Sequence, residues 1–298
     1  MSLRILNPGL HTLLVDFGRP GSRSLGVPVG GAADRFSLAI ANGLVGNPPA
    51  TPGIEINLSG PSFQSESTLH AVVWGASFDV YRNERPLVAG YSFNLSPGDN
   101  LRIGGTRQGA RGYFCVRGGF EAPVSLASKS ALVPLQAGDT LIVESSSARS
   151  RAVNGKWLWN EEPGVLRILP GAQSAWFSAE EFCGQSYQVE PASNRMGLRL
   201  RGQALTQTPR EIVSEPVCPG TVQVTRDGQC IVLGVDGQTI GGYPKIAQVI
   251  SADIDKLGQL RAGEKLAFRS VSLEDAEKIY RLKQAEMQEW LLRLQISN

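Results

Sequence analysis

Apolar residues occur along this chain in short runs separated by Gly, Pro, Asn and Asp, which is the pattern of strands bounded by turns. The pattern predicts a mainly β protein, built as a barrel or a sandwich. In the first half the predicted strands are residues 12–15, 54–58, 69–74, 78–81, 101–103, 113–116 and 141–143. In the second half they are residues 165–169, 187–189, 198–200, 222–224, 231–233 and 265–271.

Three turns share one composition, in which a glycine and then an acidic residue come directly before an apolar strand. They are residues 97–101, 137–141 and 262–266. Glycine supplies the backbone freedom that such turns need, and the acidic residue can bond back to the backbone of the turn. Their unequal spacing indicates a turn used three times and not a structural repeat.

The pattern also predicts helices between the strands. Asp34 is the predicted N-cap of a helix over residues 35–45, whose apolar residues occupy more than one face, so this helix is expected to be buried. Ser178 followed by Glu181 has the spacing of a capping box and predicts a second, short helix. Both predictions place a helix inside a series of strands.

A last helix is predicted to begin at Ser272, with Asp275 completing a capping box, and to run to about residue 295. Its apolar residues form one stripe at helical spacing. We favour the packing of this stripe on the helix's own barrel, and a groove of a partner protein is the alternative. The stripe consists of Ala276, Ile279, Tyr280, Met287, Trp290, Leu291 and Leu294.

The chain is long enough for two domains, with 298 residues of which 42% are hydrophobic. Residues 145–155 are polar and small and have no period, so they are the predicted linker. The predicted domains are residues 1–150, an N-terminal β-barrel, and residues 160–298, a C-terminal β-barrel with the terminal helix.

Charge and composition exclude several classes of partner. A net charge of +2 is too small to indicate nucleic acid or a membrane surface as the partner. The first eight residues lack the apolar core of a signal peptide, and no apolar run is long enough to span a bilayer. We therefore expect a cytoplasmic protein.

The residue inventory excludes several chemistries. The cysteines are too far apart for a CxxC pair, and two histidines cannot build a multi-histidine site, so no metal is expected. The chain has no Walker A loop, no Gly-x-Gly and no Gly-x-Ser-x-Gly, which argues against a P-loop, a Rossmann fingerprint and a serine hydrolase elbow. The residues concerned are Cys115, Cys183, Cys218, Cys230, His11 and His70.

Residues 235–246 have the composition of a shaped polar loop. Three glycines make the backbone pliable and Pro244 stiffens its end, which suits a loop that holds a ligand or partner. An ordinary tight turn has the same elements and stays open as an alternative here. The bond before Pro244 is a candidate for the cis form. The polar side chains of this loop are Asp236, Gln238, Thr239, Tyr243 and Lys245.

A second candidate loop, residues 16–34, is rich in glycine and leads directly into the first predicted helix. It contains Asp16, Arg19 and Asp34, and the N-terminus of a helix after such a loop could bind an anion. The alternative is that Asp34 only caps the helix and that the arginines of the loop pair with acidic residues at the surface.

Long motifs in a fixed order extend over nearly the whole chain. They are Gly26-Val27-Pro28 with Gly31-Ala32-Ala33-Asp34, Ala-Asn-Gly-Leu-Val-Gly-Asn at residues 41–47, Arg117-Gly118-Gly119-Phe120, Asn-Arg-Met-Gly-Leu-Arg-Leu at residues 194–200, Pro-Gly-Thr-Val-Gln-Val at residues 219–224 and Gln-Thr-Ile-Gly-Gly-Tyr-Pro-Lys-Ile-Ala at residues 238–247. In this order they resemble the allophanate hydrolase subunit 2 family. That family includes the C subunit of the bacterial ATP-dependent 5-oxoprolinase, the second half of the urea carboxylase carboxyltransferase domain, and an antagonist of a sporulation-kinase inhibitor.

The resemblance implies two cyclophilin-like β-barrel domains and an active site shared with a partner, the B subunit of the same system, which resembles allophanate hydrolase subunit 1. Carried over to the matching positions, it also implies a ligand-facing cleft with catalytic and substrate-binding residues. The implied catalytic residues are Asp236, Gln238, Lys245 and Asp16. The implied substrate-binding residues are Arg19, Asp34, Asn42, Glu55, Arg195, Gln223, Thr239, Gly241, Gly242 and Tyr243.

These residue types suit the implied chemistry. Opening a lactam or transferring a carboxyl group develops negative charge on an amide-type oxygen, which Arg, Lys and amide donors stabilise. Asp236 or Asp16 would then act as an acid–base or positioning group. The alternative for Glu55 and Arg195 is an ion pair with each other, between strands or between domains.

Two positions depart from the family pattern. Relatives commonly read Ser-Gly-Ala before the first helix, where this chain has Gly30-Gly31-Ala32. A usual Gly-Ser-Arg-Ser-Thr is replaced by Ala-Ser-Lys-Ser-Ala at residues 127–131. The second change removes an arginine and a threonine, which weakens the expectation of a ligand contact in that loop.

Within the family the expected function branches. The first hypothesis is the C subunit of an ATP-dependent 5-oxoprolinase, which opens 5-oxoproline to glutamate together with the A and B subunits, is inactive alone and uses ATP at the level of the complex. The second is half of a biotin-dependent carboxyltransferase acting on urea or a related amide. It would need a separate carrier, because this chain lacks the Met-Lys of a biotin attachment site. The third is a non-catalytic regulatory module that binds a homologue of the B subunit.

Overall fold

The structure, a computed structural model, describes residues 1–153, 164–206, 210 and 212–296. The chain divides into two compact units. The first contains the described residues of Met1–Gly18, Asp34–Leu158 and Glu286–Asn298, and the second those of Arg19–Ala33 and Trp159–Ala285. The predicted domain bounds stay a prediction, because the start of the second predicted domain at residue 160 and the end of the predicted linker fall in residues 154–163, which lie outside the described residues.

The strands of the first unit form two antiparallel sheets. One has six strands: β1 (Ser2–Asn7), β4 (Ser62–Ser65), β6 (Phe78–Arg82), β7 (Arg85–Pro86), β9 (Asn100–Thr106) and β11 (Thr140–Ile142), in the order β11-β1-β4-β9-β6-β7. The other has five: β2 (Thr12–Val15), β3 (Gly53–Asn57), β5 (Leu69–Gly75), β8 (Phe93–Leu95) and β10 (Arg111–Val116), in the order β2-β3-β10-β5-β8.

The two sheets of the first unit share one apolar core. Phe63 of β4 stacks on Phe114 of β10 with ring centroids 5.1 Å apart, so one aromatic pair joins the two sheets. In β1 the buried Leu3 and Ile5 alternate with the exposed Arg4, as expected for a strand with one face on a core. The barrel expected here is therefore two facing sheets, whose backbone ladder is not closed among the described residues.

Helix α1 (Arg35–Leu44) covers the five-stranded sheet of this unit. Asp34 caps it as predicted, since its Oδ1 accepts a hydrogen bond from the backbone N–H of Ser37 at 2.9 Å. An ideal Cβ on Gly53 would lie 2.9 Å from Leu38 Cδ1, so a glycine in β3 lets the helix approach the sheet. The helix is buried on most of its surface, as its apolar composition predicted.

Seven strands of the second unit form a closed barrel. They are β12 (Val165–Pro170), β13 (Tyr187–Val189), β14 (Gly197–Arg201), β16 (Thr221–Val224), β17 (Cys230–Leu233), β19 (Lys245–Val249) and β20 (Lys265–Ser270), in the order β12-β19-β16-β17-β14-β13-β20. The ring closes through β12 and β20, which run parallel. A separate two-stranded ribbon consists of β15 (Glu215–Pro216) and β18 (Ile240–Gly241). The mainly β prediction is confirmed.

The barrel encloses an aromatic cluster. Phe268 of β20 stacks on Phe182 at 4.7 Å and meets Tyr187 edge-on at 5.3 Å between ring centroids. Phe182 lies in the short helix α2 (Ala179–Cys183), where the hydroxyl of Ser178 accepts from the backbone N–H of Glu181 at 3.2 Å. The predicted second helix and its cap are therefore confirmed, and the helix contributes to the core.

Helix α3 (Ile254–Gln259) was not predicted, and helix α4 (Leu273–Ile296) was. Ser272 caps α4 by accepting from the backbone N–H of Asp275 at 3.0 Å, which confirms the predicted start. Ala276 packs with Ile250 of the second unit, and an ideal Cβ on Gly43 of the first unit would lie 2.9 Å from Leu294 Cδ1. The contact of Ala276 agrees with the favoured interpretation of α4, docking on its own barrel, whereas the contact of Leu294 lies in the first unit and was not part of that interpretation.

The recurring turn predicted from composition has one geometry at all three places. Its glycine has φ between 88° and 91°, and the acidic side chain accepts from a backbone N–H three residues earlier. The bonds are Ser96 N to Asp99 Oδ2 at 2.8 Å, Gln136 N to Asp139 Oδ2 at 2.8 Å and Arg261 N to Glu264 Oε2 at 2.9 Å. Each turn directly precedes a strand, namely β9, β11 or β20.

Candidate functional site

Glycine places the loop between β17 and β19, residues 234–244, against the chain that precedes β14. An ideal Cβ on Gly234 would lie 2.2 Å from the carbonyl oxygen of Arg195, so any other residue would collide with the backbone there. The backbone N–H of Asp236 donates to the same carbonyl at 3.1 Å. Backbone contacts therefore bring Asp236 beside Arg195.

The side chains of Arg195 and Asp236 form a two-pronged ion pair. Nε of Arg195 donates to Oδ2 of Asp236 at 2.7 Å, and Nη2 donates to Oδ1 at 3.0 Å. The same Nη2 also donates to the carbonyl of Gly31 at 2.7 Å. The arginine side chain is 9% exposed and the aspartate 37%, so the carboxylate has a fixed orientation and remains accessible to solvent.

Residues 19–33 also attach to this loop through the backbone. The N–H of Gly30 donates to the carbonyl of Val235 at 2.9 Å. An ideal Cβ on Gly30 would lie 3.4 Å from Nη1 of the buried Arg19 and 3.7 Å from Oδ1 of Asp236. The guanidinium of Arg19 and the carboxylate of Asp236 therefore border one small space, which glycine leaves open.

Gln223 of β16 and Lys245 of β19 lie opposite each other on the outer face of the barrel. Their Cα positions are register partners across the two strands. Val222 and Val224 point into the core, and so does Ile246, so alternation directs the two polar side chains outward. Both are nevertheless buried, Gln223 at 1% and Lys245 at 6% exposure. Other parts of the unit must cover this stretch of the barrel.

Glu215 of the ribbon and Gln173, after β12, surround Lys245. The backbone N–H of Lys245 donates to Gln173 Oε1 at 3.0 Å, and Gln173 Nε2 donates to Glu215 Oε2 at 3.3 Å. Nζ of Lys245 lies 2.7 Å from Glu215 Oε2. The ammonium of Lys245 and the amide of Gln173 lower the pKa of the Glu215 carboxyl below its ordinary value.

The rest of the loop covers Gln223. An ideal Cβ on Gly241 would lie 2.4 Å from Gln223 Nε2, so the loop backbone rests directly on this amide. Nε2 of Gln238 lies 3.5 Å from Gln223 Oε1, and the side chain of Gln238 is exposed. Gly241 is buried, whereas Gly242 is exposed. Gly241 is therefore in a packed position, and Gly242 is in an open one.

Two further predicted residues of this loop differ in environment. Thr239 is buried, and its carbonyl accepts from the backbone N–H of Val217 at 2.9 Å, which holds the ribbon together. The ring of Tyr243 is 39% exposed. The peptide bond before Pro244 is trans, so the expected cis form is wrong.

Asp16, a predicted catalytic residue, lies in the first unit and has both carboxylate oxygens occupied. Oδ1 accepts from the backbone of Gly18 at 2.7 Å and from the hydroxyls of Ser128 and Ser130 at 2.6 Å each, and Oδ2 accepts from the backbone of Lys129 at 2.6 Å. Burial raises the pKa of Asp16, but these bonds outweigh it and leave the pKa below 3.8. The geometry is that of a carboxylate organising a loop.

Asp34 and Glu55 of the first unit are joined through Tyr113. The backbone N–H of Asp34 donates to the Tyr113 hydroxyl at 2.8 Å, and this hydroxyl donates to Glu55 Oε2 at 2.8 Å. Arg111 pairs with the other oxygen of Glu55 at 3.4 Å, and both side chains are buried. Strands β3 and β10 place Arg111 near Glu55, and the suggested pairing of Glu55 with Arg195 stays a prediction.

Asn42 uses its whole side chain to hold the chain that follows α1. Its Nδ2 donates to the carbonyls of Pro49 at 3.2 Å and Thr51 at 2.7 Å, and its Oδ1 accepts from Asn47 Nδ2 at 3.0 Å. It is fully buried. The structure therefore gives this predicted binding residue a structural role in the first unit.

Four residues of these groups were not found by sequence reasoning: Tyr113, Arg111, Gln173 and Glu215. Tyr113 and Arg111 lie in β10. The apolar residues of this strand indicated a core strand, so the polar groups of these two side chains were not considered as part of a site. Gln173 and Glu215 lie in connecting segments, far along the chain from Lys245. Only strand register and long-range contacts bring them to the predicted residues, so no local signal could have found them.

The described residues contain no group of three or more His, Cys, Asp or Glu that could hold a metal ion. In the same part of the chain no helix is both long and apolar enough to cross a membrane. The four cysteines are free, and burial raises the pKa of the Cys115 thiol and brings that of Cys230 to about 12. The thiols of Cys115 and Cys230 are therefore packed and unreactive.

A closed barrel and a glycine-shaped polar loop define the class of the protein: it belongs to the family described as carboxyltransferase domain, subdomain A and B, which matches residues 25–270. The chain is 34% identical to the C subunit of 5-oxoprolinase from Escherichia coli strain K12, over 99% of this chain and 100% of that protein. It is 33% identical to the C subunit of 5-oxoprolinase from Haemophilus influenzae, over 93% and 94% of the two chains.

A solved structure shares the fold. The urea amidolyase of K. lactis superposes with a TM-score of 0.87 at 24% sequence identity, covering 97% of this chain and 20% of that longer chain. At this level of identity the likeness concerns architecture alone.

Proposed function

We propose that this chain is the C subunit of an ATP-dependent 5-oxoprolinase and that, with the A and B subunits, it opens 5-oxoproline to glutamate. The observation that carries the proposal is the end-to-end match to two C subunits. The match to urea amidolyase, in contrast, occupies a small part of a much larger chain. ATP serves the complex, and this chain carries no covalent cofactor and no biotin.

The loop of the second unit supplies groups suited to this reaction. Hydrolysis of the lactam breaks the C–N bond of the ring and places negative charge on the carbonyl oxygen as water adds. Gln238, whose side chain is exposed, is the donor we assign to stabilise that charge, and Lys245 and Gln223 are the donors we assign to hold the substrate. Asp236, held by Arg195, is the group we assign to direct the water or accept its proton.

In this proposal the predicted site residues of the first unit have no catalytic role. We leave Asp16 out of the catalytic set, because its oxygens already accept four hydrogen bonds. Asn42 is left out of the binding set because the oxygen and the nitrogen of its side-chain amide are likewise occupied by hydrogen bonds. Asp34 and Glu55 form a buried network with Tyr113, and we assign them the role of holding the start of α1.

Reconstitution tests the proposal directly. The purified chain alone is expected to be inactive, and its mixture with the A and B subunits is expected to release glutamate and phosphate from 5-oxoproline and ATP. Both products are measured in the same reaction, and omission of each component in turn is the control. A complete three-component mixture that releases neither product would contradict the proposal.

The family description favours one second candidate, half of a biotin-dependent carboxyltransferase acting on urea or a related amide. This activity needs a separate biotinylated carrier. It predicts transfer of label from bicarbonate to an amide substrate when the carrier and the partner half are present. Absence of labelled product under those conditions would remove this candidate.

The two neighbouring glycines of the loop provide a matched test of the site. Gly241→Ala is expected to lower kcat of the reconstituted enzyme at least about tenfold, because its Cβ would displace Gln223 Nε2 and a small misplacement of reacting groups is costly. Gly242→Ala is the control, since in the part of the chain that the structure describes its Cβ would meet Ser214 Oγ alone, at 3.3 Å. Equal kcat values for the two variants would contradict the assignment of Gln223.

A further inference from the structure

The Lys245 ammonium is buried with unused bonding capacity. Its Nζ has essentially no solvent-exposed surface and, among the described residues, no hydrogen-bond partner of good geometry. The contact with Glu215 Oε2 at 2.7 Å is close, but it brings two opposite charges together without the angles of a hydrogen bond. An ammonium has three N–H groups, so Lys245 can still donate to an acceptor.

Gln223 has the same property on the neighbouring strand. Its Nε2 is buried and, in the part of the chain that the structure describes, donates to no acceptor. The orientation of the amide is supported by Gln238, whose Nε2 faces the oxygen of Gln223 and not its nitrogen. A buried donor left without an acceptor is destabilising, so two such groups at paired positions of neighbouring strands call for a ligand.

Glu215 differs from both of these residues in its surroundings. Among the described residues it lies on a two-residue strand that pairs with β18 alone, and its side chain is 42% exposed. Gln173 reaches its carboxylate at 3.3 Å and 3.5 Å, which are long contacts. This carboxylate therefore neutralises Lys245 from the solvent side, in a position where another carboxylate could take its place.

We infer that Gln223 Nε2 and Lys245 Nζ form a two-donor subsite for the carboxylate of a small ligand, and that Glu215 is the counter-ion which this carboxylate displaces. The ligand-free protein keeps the charge of Lys245 balanced by Glu215. A bound carboxylate accepts from both donors and releases Glu215 to water. The inference depends on the proposed function only for the identity of the ligand, 5-oxoproline, which carries such a carboxylate.

Because Glu215 is negatively charged, the inference predicts in which direction its replacement changes the affinity for the ligand. If Glu215 competes with the ligand, Glu215→Gln should tighten binding of 5-oxoproline about threefold, because one exposed counter-ion is worth little but acts against the ligand. Gln223→Met removes a donor to a charged group and should weaken binding at least about tenfold. Neither change should affect the binding of 2-pyrrolidinone, which is the same ring without the carboxylate.

The measurement is a titration of the full chain with 5-oxoproline, followed through the side-chain amide signals of glutamine in nitrogen-15 NMR spectra. Gln223→Met identifies which signal belongs to Gln223, and Glu215→Gln then shows how its response changes. Glu190→Gln and Gln188→Met are the matched controls, since both alter surface residues of the same barrel. Unchanged thermal unfolding identifies variants that are folded.

The possible results separate the subsite from the proposed function. Unchanged or weaker binding of 5-oxoproline by a folded Glu215→Gln chain overturns the inference, and so does a Gln223 signal that responds equally to 2-pyrrolidinone. Acetate is a second probe: if it moves the Gln223 signal while the reconstituted enzyme releases no glutamate, the subsite stands and the proposed function fails. If glutamate is released without the Glu215 effect, the proposed function stands and the subsite fails.

Discussion

Replacing Arg195 with lysine is expected to lower kcat of the reconstituted enzyme about 100-fold, the cost of misplacing a catalytic group by about 1 Å. Lysine keeps the positive charge but cannot reach both oxygens of Asp236 and the carbonyl of Gly31 at the same time. The carboxylate would lose its fixed orientation, and residues 19–33 would lose one attachment. Steady-state kinetics with 5-oxoproline and ATP measure the effect.

Arg201→Lys is the matched control for this experiment. Arg201 lies in β14, a few residues after Arg195, and pairs with Glu190 at 3.0 Å while 72% exposed. An exposed pair of this kind contributes little, so kcat should stay within about twofold of wild type. Wild-type kcat in Arg195→Lys would exclude Asp236 from the site. A fall in kcat together with an early thermal transition would assign Arg195 to folding alone.

Much of the fold follows from local pattern. The apolar runs bounded by turn residues, the N-caps at Asp34, Ser178 and Ser272, and the three glycine–acid turns all act over a few residues, so sequence contains the whole interaction. Each of these predictions was confirmed. The missed elements include β1, β15, β18 and helix α3, which are short or have mixed polarity and are stabilised by neighbours far along the chain.

The order of the strands within the sheets could not be predicted from local sequence pattern. The barrel closes through the parallel pair β12 and β20, which join residues about a hundred positions apart in sequence. Residues 19–33 belong to the second unit although α1 follows them in the first. Their attachment rests on backbone bonds such as Gly30 N to Val235 O, and backbone groups are identical in every sequence.

The candidate site, like the fold, could be predicted from the sequence only in part. Residue types and family resemblance identified Asp236, Arg195, Gln223 and Lys245, which the structure brings into two adjoining sets of contacts in the second unit. Resemblance could not tell which candidates have spare bonding capacity. Asp16 has none left, because its oxygens are occupied, whereas Nε2 of Gln223 has no acceptor among the residues that the structure describes.

Asp253 is the ionised residue whose neutralisation should most destabilise the second unit. Its carboxylate is fully buried and accepts from the Arg167 backbone at 2.9 Å, from Arg167 Nε at 3.0 Å and from Nη2 at 2.6 Å, with Lys256 Nζ at 3.2 Å. Asp253→Asn would leave two cations largely buried without their counter-charge. The expected loss in the free energy of unfolding is about 3–5 kcal/mol, measured by urea denaturation at about pH 7.

The pH dependence of that loss has a definite sign. Burial raises the pKa of Asp253, but the Arg167 bonds outweigh it, so the folded pKa lies below 3.8, near which the unfolded carboxyl titrates. The stabilisation is therefore complete above about pH 3.8 and disappears as the pH falls through the lower, folded pKa. Wild type and Asp253→Asn should converge in acid, whereas Asp227→Asn, at an exposed turn, should change the free energy of unfolding little, because solvent screens its hydrogen bond from Thr225. A difference that grows on acidification would mean that the buried carboxyl is neutral in the folded protein.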